Sequence, residues 1–356
     1  MVATAARARR RHGAPGGEAM KVRVGLGLAQ LPFDDSRAFW RFIERCEASD
    51  LDSLWQTDRL VSSVPQLESM SVMAALAGAT ARLKFGMNVT VVSFRDPLVL
   101  AKQCATIDFL SGGRLLPAFG VGPAIAPEWK ATNRPYAGSG RRADEALEIM
   151  TRLWTGERLT FAGEHYRYDG ARIAPLPVQR PLPLWIGGSS GPSIRRTARL
   201  GTGWLAGPQS PEQVGPVIAA IRDASAAAGR PIDPDHYGVT IPFRFGTSDE
   251  PLVQAIATQL VQRNQGTDPA RHVAVGGSTQ ILDRLDEFRA VGASKFVLLP
   301  IAAGDADVTD QTERLIGEVL PVVHGSDGHG WRKPPTAEYT GSVAPAAHTP
   351  TREPER

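Results

Sequence analysis

Three short stretches carry residue types suited to chemistry. WIGGSSGPSI, residues 185–194, ends an apolar run in two glycines and enters a helix through Ser189 and Ser190. Unpaired N–H groups and hydroxyls at such a helix start suit an anion of phosphate size; an ordinary N-capped helix has the same signature. SLWQTDRL, 53–60, sets Thr57, Asp58 and Arg59 just past another apolar run. Asp58 there either accepts a hydrogen bond from a ligand ring or caps the next segment. LKFGMNVTVV, 83–92, lodges Asn88 among apolar residues, and a buried amide needs partners.

A longer stretch, RDPLVLAKQCATIDFLSGGRLLPAFGVG, covers 95–122. Pro97 suits the first turn of a helix, and Leu98, Ala101, Ala105 and Phe109 follow on one face at helical spacing. Ser111, Gly112 and Gly113 break that helix, and 115–119 is apolar and short enough for a covered strand. Gly120 and Gly122 beyond it let backbone approach something closely. Asp108 and Arg114 flank the turn and are expected to pair across it. The loop 122–140 holds Glu128, Trp129 and Tyr136; a loop of that length in a folded domain usually serves function. Its two aromatics either wall a pocket or anchor the loop.

The elements that must position these residues alternate. Strands are expected at 22–30, 51–57, 83–92, 115–119, 183–188, 203–206, 237–245 and 295–301. Helical patterns separate them, as at 35–49, 68–80, 141–154, 211–228, 251–263 and 279–291, with a closing helix at 310–320. Residues 158–173 form a hairpin excursion. Eight strand-then-helix units predict an α/β fold, a (β/α)8 TIM barrel with an insertion region. Its carboxyl-end ring would hold Gln30, Thr57, Asp58, Arg59, Asn88, Gly120, Gly122, Glu128, Gly187, Gly188, Ser189, Arg244 and Pro300. None of the seven histidines falls clearly in that ring, and Lys295 is at the wrong end of its strand. A face with cradles but few titratable groups points to chemistry borne by a cofactor.

The formal charge of +3 comes from the first twenty residues, where four arginines face Glu18 alone. The remainder is balanced, so nothing marks a nucleic-acid footprint. Cys46 and Cys104 sit in helical patterns as small core residues, with no metal-ligand cluster, which suits a reducing cytoplasm. No signal peptide or membrane-spanning run is evident. The expected organisation is a disordered extension over 1–20 with Met20 as the functional start, one domain over 21–323 and a disordered tail over 324–356.

SLWQTDRL, LAGATARLKFGMNV, the 95–122 stretch, ADEALEIMTRLWTGE and PLPLWIGGSSGPSIRRTARLGTGW together resemble the bacterial-luciferase-like superfamily of flavin- and coenzyme F420-dependent oxidoreductases. The resemblance implies a barrel that binds reduced FMN or F420 at its carboxyl-end face. Thr57 and Asp58 match positions near the cofactor ring, and Asn88 and Val89 match a bulge with a non-prolyl cis peptide behind it. Gly122, Ser189 and Ser190 match cofactor contacts, joined by Gly187 and Gly188 of the cradle. The GMNV strand and the scarcity of lysine favour F420. The family also implies a small-molecule substrate and a possible homodimer.

Sugar-phosphate dehydrogenases of the family carry a histidine directly after the aspartate, where this chain has Arg59. They carry a glutamate where it has Ile125. Both members of that acid–base pair are missing, so the catalytic candidates are Asp58 and Glu128, the latter three residues on from Ile125. The readings that follow are F420-dependent hydride transfer, an FMN-dependent monooxygenase, and a non-catalytic cofactor-binding protein.

Overall fold

In a computed structural model of the chain, residues 22–264 and 268–325 are described. The expected extension over 1–20, with its start at Met20, lies outside them, as does the expected tail except for His324 and Gly325, which close the last helix.

The chain opens with β1 (Arg23–Leu28), α1 (Ser36–Ala48), β2 (Ser53–Gln56) and α2 (Ser69–Ala79). Helix α1 starts where the Asp35 carboxylate accepts the Ala38 N–H, and it buries Phe39, Phe42, Ile43 and Cys46 on one face. Phe39, Phe42 and Ile43 each contribute about 1.5–3 kcal/mol on burial. The third barrel strand is split into β3 (Lys84–Met87) and β4 (Thr90–Val91) by a cis peptide between Asn88 and Val89. After α3 (Pro97–Leu110), the fourth strand is likewise split, at Pro117, into β5 (Leu115–Leu116) and β6 (Ala118–Gly120).

Helix α3 departs from the expected face. Its buried side carries Leu100, Ala101, Cys104, Ala105, Ile107 and Asp108, whereas Phe109 is 56% exposed. The helix is covered by α2 on one flank and by α5 (Ser139–Trp154) on the other, and Phe109 falls beyond the edge of that broad face. Between β6 and α5 the long loop folds a single turn, α4 (Glu128–Ala131). The insertion is an antiparallel hairpin of β7 (Leu159–Ala162) and β8 (Arg167–Ala171). Its turn is tied down by Glu145, whose carboxylate accepts the N–H groups of Glu164, His165 and Tyr166.

The second half continues with β9 (Trp185–Gly187), α6 (Gly191–Leu200), β10 (Gly203–Ala206), α7 (Pro211–Ala227) and β11 (Tyr237–Phe245). It ends with α8 (Pro251–Arg263), β12 (Ala274–Gly276), α9 (Ser278–Ala290), β13 (Lys295–Pro300), α10 (Gly304–Arg314) and α11 (Leu320–Gly325). The closing helical region thus starts before residue 310, where sequence placed it.

The main sheet runs β4-β6-β9-β10-β11-β13-β1-β2-β3-β5, all parallel, with β12 added to β11. Because β3 leads into β4 and β5 into β6, the two ends of that order are the same pair of split strands, and the sheet closes. This is the (β/α)8 TIM barrel with its insertion.

The barrel interior is filled by two indoles, Trp55 and Trp185, which meet edge to face at 6.2 Å. Glycines make room for them. A Cβ at Gly86 would lie 2.7 Å from the Trp55 ring, and one at Gly203 would lie 2.7 Å from the Trp185 ring. Leu116, Ala118, Leu205 and Val297 complete this layer, and Val89 packs on it.

Candidate active site at the barrel mouth

Thr57, Asp58, Asn88, Val89, Gly122, Gly187, Gly188, Ser189 and Ser190 all stand at the carboxyl ends of barrel strands, as expected. Their neighbours give each a different task.

Asp58 is saturated. Its carboxylate receives Ser69 Oγ–H at 2.8 Å, the Val91 N–H at 3.3 Å, and both terminal nitrogens of Arg95 at 2.8 and 2.9 Å. Burial opposes the charge on Arg95, but its hydrogen bonds to Asp58 and Glu68 outweigh this and raise its pKa. Asp58, the other catalytic candidate, therefore holds the outer half of the third strand in place with both of its oxygens engaged.

The bulge at Asn88 and Val89 is half-buried. Asn88 Oδ1 accepts from Thr240 Oγ1 at 3.2 Å, across the barrel from β11. Val89 fits because its neighbours lack side chains: a Cβ at Gly120 would come to 2.8 Å of it and one at Gly187 to 3.0 Å. Gly122, at φ +78°, leaves room for Val91 in the same way. These glycines serve the bulge directly.

Ser190 is the N-cap of α6 and accepts the Ser193 N–H at 3.4 Å, so the helix-cap reading holds for it. Ser189 Oγ donates to Gln209 Oε1. The N–H groups of Ser189, Ser190 and Gly191 reach no backbone carbonyl among the described residues. Gly188, at φ +102°, turns its carbonyl to Trp204 Nε1 at 2.9 Å.

Among the described residues of the mouth, Glu128 is the buried carboxylate with an idle oxygen. It is 2% exposed, Oε2 has no partner, and Oε1 lies 3.8 Å from Arg59 Nη1. Ile125, three residues earlier, is 92% exposed. Trp129 anchors the loop: its Nε1 donates to Pro123 O at 2.9 Å, and its ring sits between Phe94 and Tyr136.

One expected assignment is corrected. Asp108 and Arg114 do not pair. Asp108 accepts from the Val178 and Gln179 N–H groups and from Gln179 Nε2, while Arg114 binds the carbonyls of Ala77, Thr80, Leu83 and Ser111. Both partners are backbone-rich loops that would otherwise end unsatisfied. Arg244 stands at the carboxyl end of β11, as expected, where Glu250, Asp307 and the Ile301 carbonyl clamp it. Arg95 and Thr240 were not anticipated. The signal for Thr240 is an aliphatic hydroxyl set between Val239 and Ile241 in the apolar strand YGVTIPF.

Residues 11–280 match the family described as luciferase-like monooxygenase. The chain belongs to that family. Among its luciferase-like relatives, an uncharacterised protein of Mycobacterium bovis is 34% identical over 167 residues, 47% of this chain and 57% of that protein. The matched stretch therefore spans little more than half of that relative. The F420-dependent glucose-6-phosphate dehydrogenase of Nocardia farcinica is 30% identical over 60% of this chain and 67% of its own. An F420-dependent secondary alcohol dehydrogenase in complex with an F420-acetone adduct superposes with a TM-score of 0.72 at 18% identity, over 85% of this chain and 99% of that one. The oxygenating constituent of 3,6-diketocamphane monooxygenase from Pseudomonas putida, in complex with FMN, has a TM-score of 0.67 at 16% identity, over 85% and 99%. Fold and family agree: the chain is a luciferase-like protein built on a TIM barrel. No helix among the described residues is long and apolar enough to cross a membrane.

Proposed function

We propose that this protein is an F420-dependent oxidoreductase that moves a hydride to or from a small organic substrate. The observation that carries the reading is the composition of the mouth. The half-buried bulge at Asn88 and Val89, the unpaired N–H groups of Ser189, Ser190 and Gly191, and Glu128 with its idle oxygen all lie in segments that follow the carboxyl ends of barrel strands. Relatives at 30% identity that use F420 support the choice of cofactor.

The residues present fit a flat ring with an anionic side chain. Val89 offers an apolar surface, Asn88 and Thr57 offer polar edges, and Ser189, Ser190 and Gly191 offer N–H donors for the anion. When bound, F420 supplies or accepts the hydride. The chain's own part is to orient the reactants, exclude water and manage a proton. We assign that proton to Glu128 Oε2, which has no partner, while Arg59 Nη1 lies 3.8 Å from the other oxygen. Asp58 acts as a positioning residue through Arg95 and Val91. Arg59 and Ile125 stand where the sugar-phosphate dehydrogenases have their acid–base pair, so glucose 6-phosphate oxidation is not the proposed activity.

Fluorescence titration of the full chain with F420, FMN and reduced FMN tests the reading. F420 should bind at about micromolar Kd and FMN at least about tenfold more weakly. Tighter binding of reduced FMN with oxygen uptake would make the protein a monooxygenase. F420 binding with no turnover on any alcohol or carbonyl would make it a carrier.

A further inference from the structure

At the opposite end of the barrel, beneath the indole layer, the amino ends of the strands line an open-sided pocket of about 390 Å3. That volume is in the range of small-molecule sites, roughly 300–1,000 Å3. Two polar atoms of its lining residues make no hydrogen bond among the described residues. Trp185, first in β9, is 3% exposed, and its Nε1–H meets no acceptor. Asp235, just before β11, has a buried Oδ1 that accepts no hydrogen bond; His236 Nε2 lies 3.5 Å away. His236 itself is tied through Nδ1 to the Thr202 carbonyl at 2.9 Å. A buried orphan costs about 1–3 kcal/mol, so an orphan donor and an orphan acceptor on one cavity mark a place that something else completes.

The charges around the same cavity are unequal. Lys295 is committed to Asp52 by a direct ion pair, and Arg23 Nε is 4.0 Å from the same carboxylate. Lys84 makes no side-chain ion pair or hydrogen bond among the described residues. One carboxylate thus faces three cations on that side, while Asp235 stands on the other.

We propose that this cavity is a second ligand site, for a small carboxylate that also carries a hydrogen-bond donor: a hydroxy acid or an amino acid. The carboxylate is met by Lys84 and Arg23, a further acceptor by Trp185 Nε1–H, and the hydroxyl or ammonium by Asp235 Oδ1. The site does not depend on the identity of the cofactor at the mouth.

Isothermal titration of the full chain with L-lactate and L-serine tests this, with propionate and sulfate as comparison probes. Lactate or serine should bind below about 1 mM, and propionate, which lacks the donor, about tenfold more weakly. Lys84→Met, at an exposed position, should weaken binding about tenfold; Asp235→Asn should abolish the preference over propionate. No binding of either probe up to about 10 mM overturns the proposal and leaves the cavity to water. So does sulfate binding as tightly as lactate, or affinity unchanged by both substitutions.

Discussion

Arg95 holds both oxygens of Asp58, at 2.8 and 2.9 Å, and the same guanidinium reaches Glu68 Oε1 at 2.6 Å. This one side chain ties the end of β2 to the start of α2 and to the segment leading into α3. Asp58 adds the Val91 N–H of β4. The most conspicuous acid of the mouth is therefore a brace under the bulge.

Arg95→Met should cost about 3–5 kcal/mol, because it leaves the Asp58 carboxylate buried without its cation. Urea unfolding followed by circular dichroism measures it. A loss below about 1 kcal/mol would mean that the pair behaves as an exposed one.

Gly120→Ala places a methyl 2.8 Å from Val89 Cγ2. Overpacking of this kind costs about 1–3 kcal/mol, and it should weaken cofactor binding by displacing the bulge. Val89→Ala in the same chain should restore much of both losses. Additive effects in the double variant would sink the idea that Gly120 is there for Val89.

Glu128→Gln preserves shape and removes the ionisable oxygen. Turnover should fall by about 10²–10⁴-fold with cofactor affinity little changed. Single-turnover kinetics beside the binding titration separate the two quantities. Unaltered turnover would remove Glu128 from the proton path.

Asp108→Ala deprives the Val178 and Gln179 N–H groups of their buried acceptor. Lost hydrogen bonds to a charged group are worth about 1.5–3 kcal/mol each, so the melting temperature should drop clearly. Cofactor affinity in the folded fraction should stay at the parent value. A selective loss of affinity would contradict the structural role.

Burial alone would raise the Asp52 carboxyl, but the charges of Lys295, Lys84 and Arg23 outweigh it and bring it from 3.8 to about 2. A carboxyl lowered in the folded state stabilises above its unfolded value, and that contribution fades as pH falls. About 2 kcal/mol should disappear between roughly pH 4 and pH 2. Unfolding curves across that window should show a flatter acid limb for Asp52→Asn than for the parent.

Periodicity and turn chemistry in the sequence alone determined the order of strands and helices, the hairpin insertion and the closed barrel. They also placed the site residues at the carboxyl ends. These are local properties: apolar spacing, a Pro at a helix start and a Ser-Gly-Gly turn depend on neighbours in the chain. Only the tertiary structure decided which polar groups meet. Asp58 finds Arg95 37 residues away, Asp108 finds Val178 70 away, and Asn88 finds Thr240 152 away. Hydrogen bonds and ion pairs act over a few ångströms and specify nothing along the chain, so Asp108 could be matched to the nearby Arg114 on sequence yet bind elsewhere. The glycines make the same point. Their positions were legible, but whether a ligand or Val89 fills the space beside Gly120 and Gly187 is settled by how two distant strands approach each other.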